Sequence, residues 1–213
     1  FALDELLFCS NPGFPWVSNH GDLYPNCFSN FVDECGECDG DNSSCSGCLD
    51  ENAFNFNCLN GNWPESATFG CNDNVIVSDH SCLYPPEGFE FNQSTKQAFY
   101  KFFEAKIGNQ SLEYMGSWIG AFKNGECVGS WPWVGEFTCV PVMGDDGESY
   151  SAGYMVEGEQ PSFFIHDSST SETYETNVSN NFNWVDLEIY HIDLIDVSID
   201  CNGIVGGNLI FDE

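Results

Sequence analysis

The chain has 213 residues and carries 34 Asp and Glu against four Lys and no Arg, a formal charge of −30. With no basic patch to meet phosphates, a nucleic-acid partner is excluded and an anionic membrane surface is disfavoured. Nineteen Phe, eight Tyr and six Trp exclude a disordered acidic tail, because so much aromatic surface demands a core.

Most of the acidic residues read as a solvated face. Crowded loop carboxylates would otherwise supply the hard oxygen ligands that Ca²⁺ prefers. No stretch reaches membrane-spanning length, so no membrane insertion is expected. The chain opens Phe1-Ala2-Leu3-Asp4, without an initiator Met or leader, and is expected to be processed or a piece of a longer chain.

Residues 1–88 are rich in Cys, Asn, Asp and Gly, with scattered apolar positions, and predict one or more small disulfide-rich modules. Cys9, Cys27, Cys35, Cys38, Cys45, Cys48, Cys58, Cys71 and Cys82 fall here; Cys127, Cys139 and Cys201 follow later, and all twelve are expected in disulfides of open pairing. Cys35, Cys38, Cys45 and Cys48 have a C-x₂-C-x₆-C-x₂-C spacing that could hold zinc, but the wealth of further Cys favours disulfides. Asp39, Asp41 and Asn42 alternate around Gly40, with Asp33 and Glu34 just upstream. This is a candidate Ca²⁺ loop, or else an Asx turn framed by disulfides.

From Phe89 to residue 199 the pattern predicts a mainly β domain, an antiparallel β-sandwich. Candidate strands are Phe89–Phe91, Gln97–Ile107, Ser111–Met115, Ser117–Phe122, Glu126–Ser130, Glu136–Met143, Ser151–Val156, Ser162–Ile165 and Glu172–Thr176, then a long run from Trp184 to Val197. Gln97–Ile107 also fits a helical stripe, but the following Gly108-Asn109 turn favours strand. In the last run Val185, Leu187 and Ile189 are out of phase with Tyr190, Ile192 and Leu194. A bend near Ile189–Tyr190 is expected to turn both sets inward.

Within this domain Asp145, Asp146 and Glu148 around Gly147 form a second candidate Ca²⁺ loop. Cys127 and Cys139 end neighbouring strand candidates, and a bond between them would contribute about 3 kcal/mol. Trp131 and Trp133, in Trp131-Pro132-Trp133, are the candidate glycan-binding platform; the alternative is a plug at the end of the sandwich. His166-Asp167 could orient an imidazole, but no nucleophile motif accompanies it. Sequons stand at Asn42, Asn92, Asn109 and Asn177, as candidate glycosylation sites of a glycoprotein.

Three regions carry a resemblance. The run Asp33-Glu34-Cys35-Gly36-Glu37-Cys38-Asp39-Gly40-Asp41-Asn42-Ser43-Ser44-Cys45 resembles the DECGxCxGDNSSC repeat of large secreted surface proteins of marine microbes, distantly like thrombospondin type 3 calcium-binding segments. Gly47-Cys48-Leu49-Asp50-Glu51-Asn52-Ala53-Phe54-Asn55-Phe56-Asn57 and Asp79-His80-Ser81-Cys82-Leu83-Tyr84 resemble the opening and closing of another small surface module, with His80 where a Gly is usual. Gly116-Ser117-Trp118-Ile119-Gly120-Ala121-Phe122, Gly125-Glu126-Cys127-Val128-Gly129-Ser130, Val142-Met143-Gly144-Asp145-Asp146-Gly147 and Gly153-Tyr154-Met155-Val156-Glu157-Gly158-Glu159 resemble a β domain that accompanies such repeats.

The resemblance implies secretion and membership of a multidomain surface or matrix protein. The expected function is therefore a non-catalytic structural subunit of an extracellular surface protein, fibre or appendage, with copies of itself or neighbouring repeats as partners. A calcium-dependent carbohydrate-binding or adhesion module is the alternative, with a glycan as its ligand, and a secreted hydrolase ranks third. Residues 200–213 run Asp200-Cys201-Asn202-Gly203 to Phe211-Asp212-Glu213, like the lead-in to Cys35. They are expected to begin a following Cys-rich linker in a tandem array.

Overall fold

In the computed structural model, residues 24, 27–60, 62, 70–71, 73–200 and 204–205 are described. They fall into two compact units divided between Tyr84 and Pro85. Cys9 and Cys201 lie outside the described residues, as does most of the expected linker at 200–213.

The first unit is loop-rich, as its scattered apolar pattern predicts. Its only strands among the described residues are β1 (Ser46–Gly47) and β2 (Val77–Ser78), paired in parallel. Four disulfides hold it: Cys27–Cys38, Cys35–Cys45, Cys48–Cys82 and Cys58–Cys71. The first two interlock and the fourth is nested inside the third. Cys35 and Cys45 bond to each other while Cys38 and Cys48 bond elsewhere, so the four do not form a zinc site. Ala53, Phe54 and Val75 make a small apolar centre around the buried Cys48 and Cys58.

The second unit is an all-β sandwich with no helix among the described residues. One sheet is built on β3 (Gln97–Ile107), flanked on one side by β11 (Ile189–Val197) and then β10 (Asn177–Val178). On its other side β3 pairs with β7 (Thr138–Met143) and, near its end, with the short β4 (Gln110–Ser111). The second sheet has the order β6 (Glu126–Pro132), β5 (Trp118–Lys123), β8 (Ser162–Asp167), β9 (Glu172–Glu175). These strands pair antiparallel except β3 and β11, which run parallel, as does the isolated bridge between Gly144 and Met155.

Alternation in β3 turns Ala98, Tyr100 and Phe102 inward. Phe163 of the opposite sheet meets Tyr100 and Phe102 at ring distances of 5.3 and 5.2 Å, which fastens the two layers together. Gly129 of β6 lets the layers come close where β6 passes β7: a Cβ there would lie 1.8 Å from the Pro141 carbonyl oxygen. Trp184 closes one margin of the core, fully buried, with its indole N–H donating to the Val142 carbonyl at 2.9 Å.

Several expected strands are corrected. Phe89–Phe91 is not a strand; Phe89 is a buried ring packed edge-on against Phe122 at 5.3 Å. Ser151–Val156 is a turn, with Gly153 at φ +93° and Tyr154 N–H bonded to the Ser151 carbonyl. Only Ser111 of Ser111–Met115 is extended. The final strand begins at Ile189 because Asp186–Leu187 is a turn: Asp186 accepts the Gln97 N–H, and Leu187 has φ +63°. Val185, Leu187 and Ile189 are therefore exposed rather than inward-facing. The change of phase comes later, between the buried Ile192 and Ile195, and β3 makes the same change between its partners Phe102 and Ala105.

Candidate functional site

The carboxylates of the first candidate calcium loop are engaged by protein donors. Asp33, 7% exposed, accepts the N–H of Glu37 on Oδ1 and of Asn42 on Oδ2, both at 2.8 Å. The Glu37 N–H leads the donors that hold its carboxyl below the usual value, against the opposing cost of burial. Asn42 returns the brace, its Oδ1 accepting the Glu34 N–H at 2.8 Å. Asp39 accepts the N–H groups of Phe28 and Ser29 and the Ser29 hydroxyl, and that hydroxyl is the main cause of its lowered pKa. Asp41 forms a local turn with the Ser43 N–H.

Gly40 is required here for space rather than for a positive φ. A Cβ at this position would lie 2.2 Å from Asp33 Oδ2. The Gly-Asp pattern thus lets a carboxylate pass over a bare backbone and staple the loop.

The second loop is built the same way. Asp146 accepts the Thr95 N–H at 2.9 Å, the Thr95 hydroxyl at 3.0 Å, the Ser151 hydroxyl at 2.6 Å and the Tyr150 hydroxyl at 3.1 Å. These donors, Ser151 first, hold its carboxyl far below the ordinary range. Asp145 accepts the Gly147 N–H, and the Glu148 N–H donates to Asp146. Calcium would need carboxylates converging on one point with lone pairs to spare. Among the described residues no group of three or more His, Cys, Asp or Glu could hold a metal ion. In both loops the carboxylates are spent on donors of the protein itself.

The aromatic platform is also corrected. Trp131 and Trp133 are 7% and 6% exposed, and Trp133 exchanges backbone bonds with Met115 and Ser117. They plug the sandwich, since rings this large gain more from burial than from display. Cys127 and Cys139 are free thiols on strands of different sheets, not a bonded pair. Burial pushes the Cys127 thiol up to about 12, which leaves it unreactive.

His166 and Asp167 feel each other's charge, but their hydrogen bonds go to other partners. The imidazole Nδ1 pairs with the Thr173 hydroxyl at 3.0 Å, while the Asp167 carboxylate accepts from Ser169 and Thr170. Asn92, Asn109 and Asn177 are exposed, whereas Asn42 is half-buried with its amide oxygen engaged.

One residue central to the first unit was not singled out by sequence reasoning. Asn55, 1% exposed, donates to the Ser81 carbonyl at 2.8 Å and accepts the Leu83 N–H at 2.7 Å. Beside it Cys48 bonds Cys82, and the Tyr84 hydroxyl donates to Asp50 at 2.6 Å. The two halves of the Gly47–Asn57 and Asp79–Tyr84 motif are thus a clasp. Its signal was the recurrence of a polar Asn among apolar neighbours, Ala53-Phe54-Asn55-Phe56.

No family profile, curated protein or solved structure matches this chain.

Proposed function

We propose that the chain is a non-catalytic structural module of an extracellular surface protein, fibre or appendage. The observation that carries this reading is the covalent closure of residues 27–82 by four disulfides, the mark of an oxidising environment. The chemistry-bearing groups around them support it. Loop carboxylates brace backbone, tryptophans fill the sandwich, and the imidazole of His166 lacks an acidic partner aimed at it. Such groups hold a shape rather than turn over a substrate. A stapled unit joined to a sandwich suits an extended, protease-resistant surface layer whose partners are further copies or neighbouring repeats.

Cross-linking mass spectrometry on intact surface material tests this. Peptides of this chain joined to copies of itself or to other Cys-rich repeats are expected. Recovery of the chain solely as a freely diffusing monomer in the surrounding medium would defeat the proposal.

A further inference from the structure

The sandwich carries a cleft of about 540 Å³ where its two sheets exchange chain. Its walls come from the end of β5, the entry to β8, and the crossing from β9 to β10. That volume is within the range of small-molecule sites, roughly 300–1,000 Å³.

The lining is polar and carries no net charge. Lys123, its one cation, is already committed to Glu159 at 2.6 Å and to the Tyr154 carbonyl at 2.8 Å. Glu159 is neutralised by the same pair and also accepts the Val156 N–H. Neither an anionic nor a cationic ligand finds an unmatched countercharge there.

Three planar amides stand around this neutral pair: Asn124, Gln160 and Asn181. Gln160 is held by its Nε2 donating to Asn183 at 2.8 Å, which leaves its carbonyl oxygen for a ligand. Asn124 and Asn181 are exposed. The Ser162 and Thr176 hydroxyls donate to the carbonyls of Phe122 and Phe163 and keep lone pairs to accept. Phe122, Pro161 and Val178 add apolar surface. Amides that both donate and accept, accepting hydroxyls and an apolar strip match vicinal hydroxyls on a ring with C–H faces.

We propose that this cleft binds a neutral saccharide without calcium. Asn177, the sequon residue between Thr176 and Val178, alternates to the other face of the chain, so a glycan there would leave the cleft open. The inference concerns the sandwich alone and does not depend on whether the chain is built into an array.

The test is a titration of the ¹⁵N-labelled protein with the methyl glycosides of glucose, galactose, mannose and N-acetylglucosamine, followed at the side-chain amides. For at least one glycoside, saturable shifts of Asn124, Gln160 and Asn181 are expected, unchanged by EDTA. Asn181→Ala should weaken binding by about fivefold to tenfold, the loss of one ligand hydrogen bond. Asn124→Gly should do the same while preserving the turn, because Asn124 has φ +53° and Gly accepts that conformation. Absence of saturable shifts at these amides with all four glycosides overturns the proposal. So does binding confined to a sulfated oligosaccharide such as heparin, or an affinity untouched by both substitutions.

Discussion

Asn55 shows how a single polar side chain can organise a unit that has little core. Both ends of its amide are spent on backbone groups of Ser81 and Leu83, some 26 and 28 residues away in sequence. Removing the amide takes the partner from the Leu83 N–H and the Ser81 carbonyl and leaves a gap at a position that is 1% exposed. Asn55→Ala is therefore expected to destabilise residues 27–82 by about 2–4 kcal/mol. Chemical denaturation followed by hydrogen exchange in that unit checks this, and an unchanged midpoint would show that the clasp is carried by Cys48–Cys82 alone. Near the other end of the clasp, His80 occupies a left-handed conformation at φ +62°. The resembled motif has Gly at that position, so the departure in sequence coincides with a backbone that favours Gly.

At the scale of elements, the strands were legible wherever apolar alternation ran against a defined turn. The run Gln97–Ile107 reads as a strand from its pattern and is β3, while the competing helical stripe had only spacing in its favour. Phe89–Phe91 and Ser151–Val156 misled for a common reason: an aromatic side chain can be buried from a loop when its ring plugs a gap in someone else's sheet. The candidate calcium loops raise a different point. Spacing places carboxylates near one another but does not say whether their lone pairs face a cation or a run of N–H groups. In the Asp33–Asn42 loop they face N–H groups, and Gly40 is there because a carboxylate passes over it. With those donors in place, the loop is expected to hold its shape without a cation. Melting followed by circular dichroism should give the same Tm in EGTA and in excess Ca²⁺ at matched ionic strength. A rise in Tm with Ca²⁺ would mean that Asp33 or Asp39 exchanges its internal donors for the metal, by mass action on the folded form.

The whole molecule joins two solutions to the problem of holding an acidic chain together. The sandwich does so by burial: Trp118, Trp184, Tyr100, Phe102 and Ile165 are all within 2% of complete enclosure. Ion pairing contributes little, since the described residues show two salt bridges, Lys106–Glu104 and Lys123–Glu159. The first unit has few buried apolar residues and four strand residues among those described, so it relies on covalent closure. In the chain-entropy view each short loop contributes about 3 kcal/mol and the Cys48–Cys82 loop about 4 kcal/mol, chiefly by restricting the unfolded chain. The described cysteines of the sandwich, Cys127 and Cys139, are unbonded. Reduction should therefore act on one unit and spare the other. Treated with a phosphine reductant at neutral pH, the protein is expected to lose amide protection across residues 27–82. Protection in β3, β5, β8 and β11 should persist, because no bond between described residues in the sandwich is cut. Hydrogen exchange resolved by peptide reads both outcomes in one experiment. Simultaneous loss of protection in the two units would show that the sandwich too depends on a disulfide, through Cys127, Cys139 or Cys201.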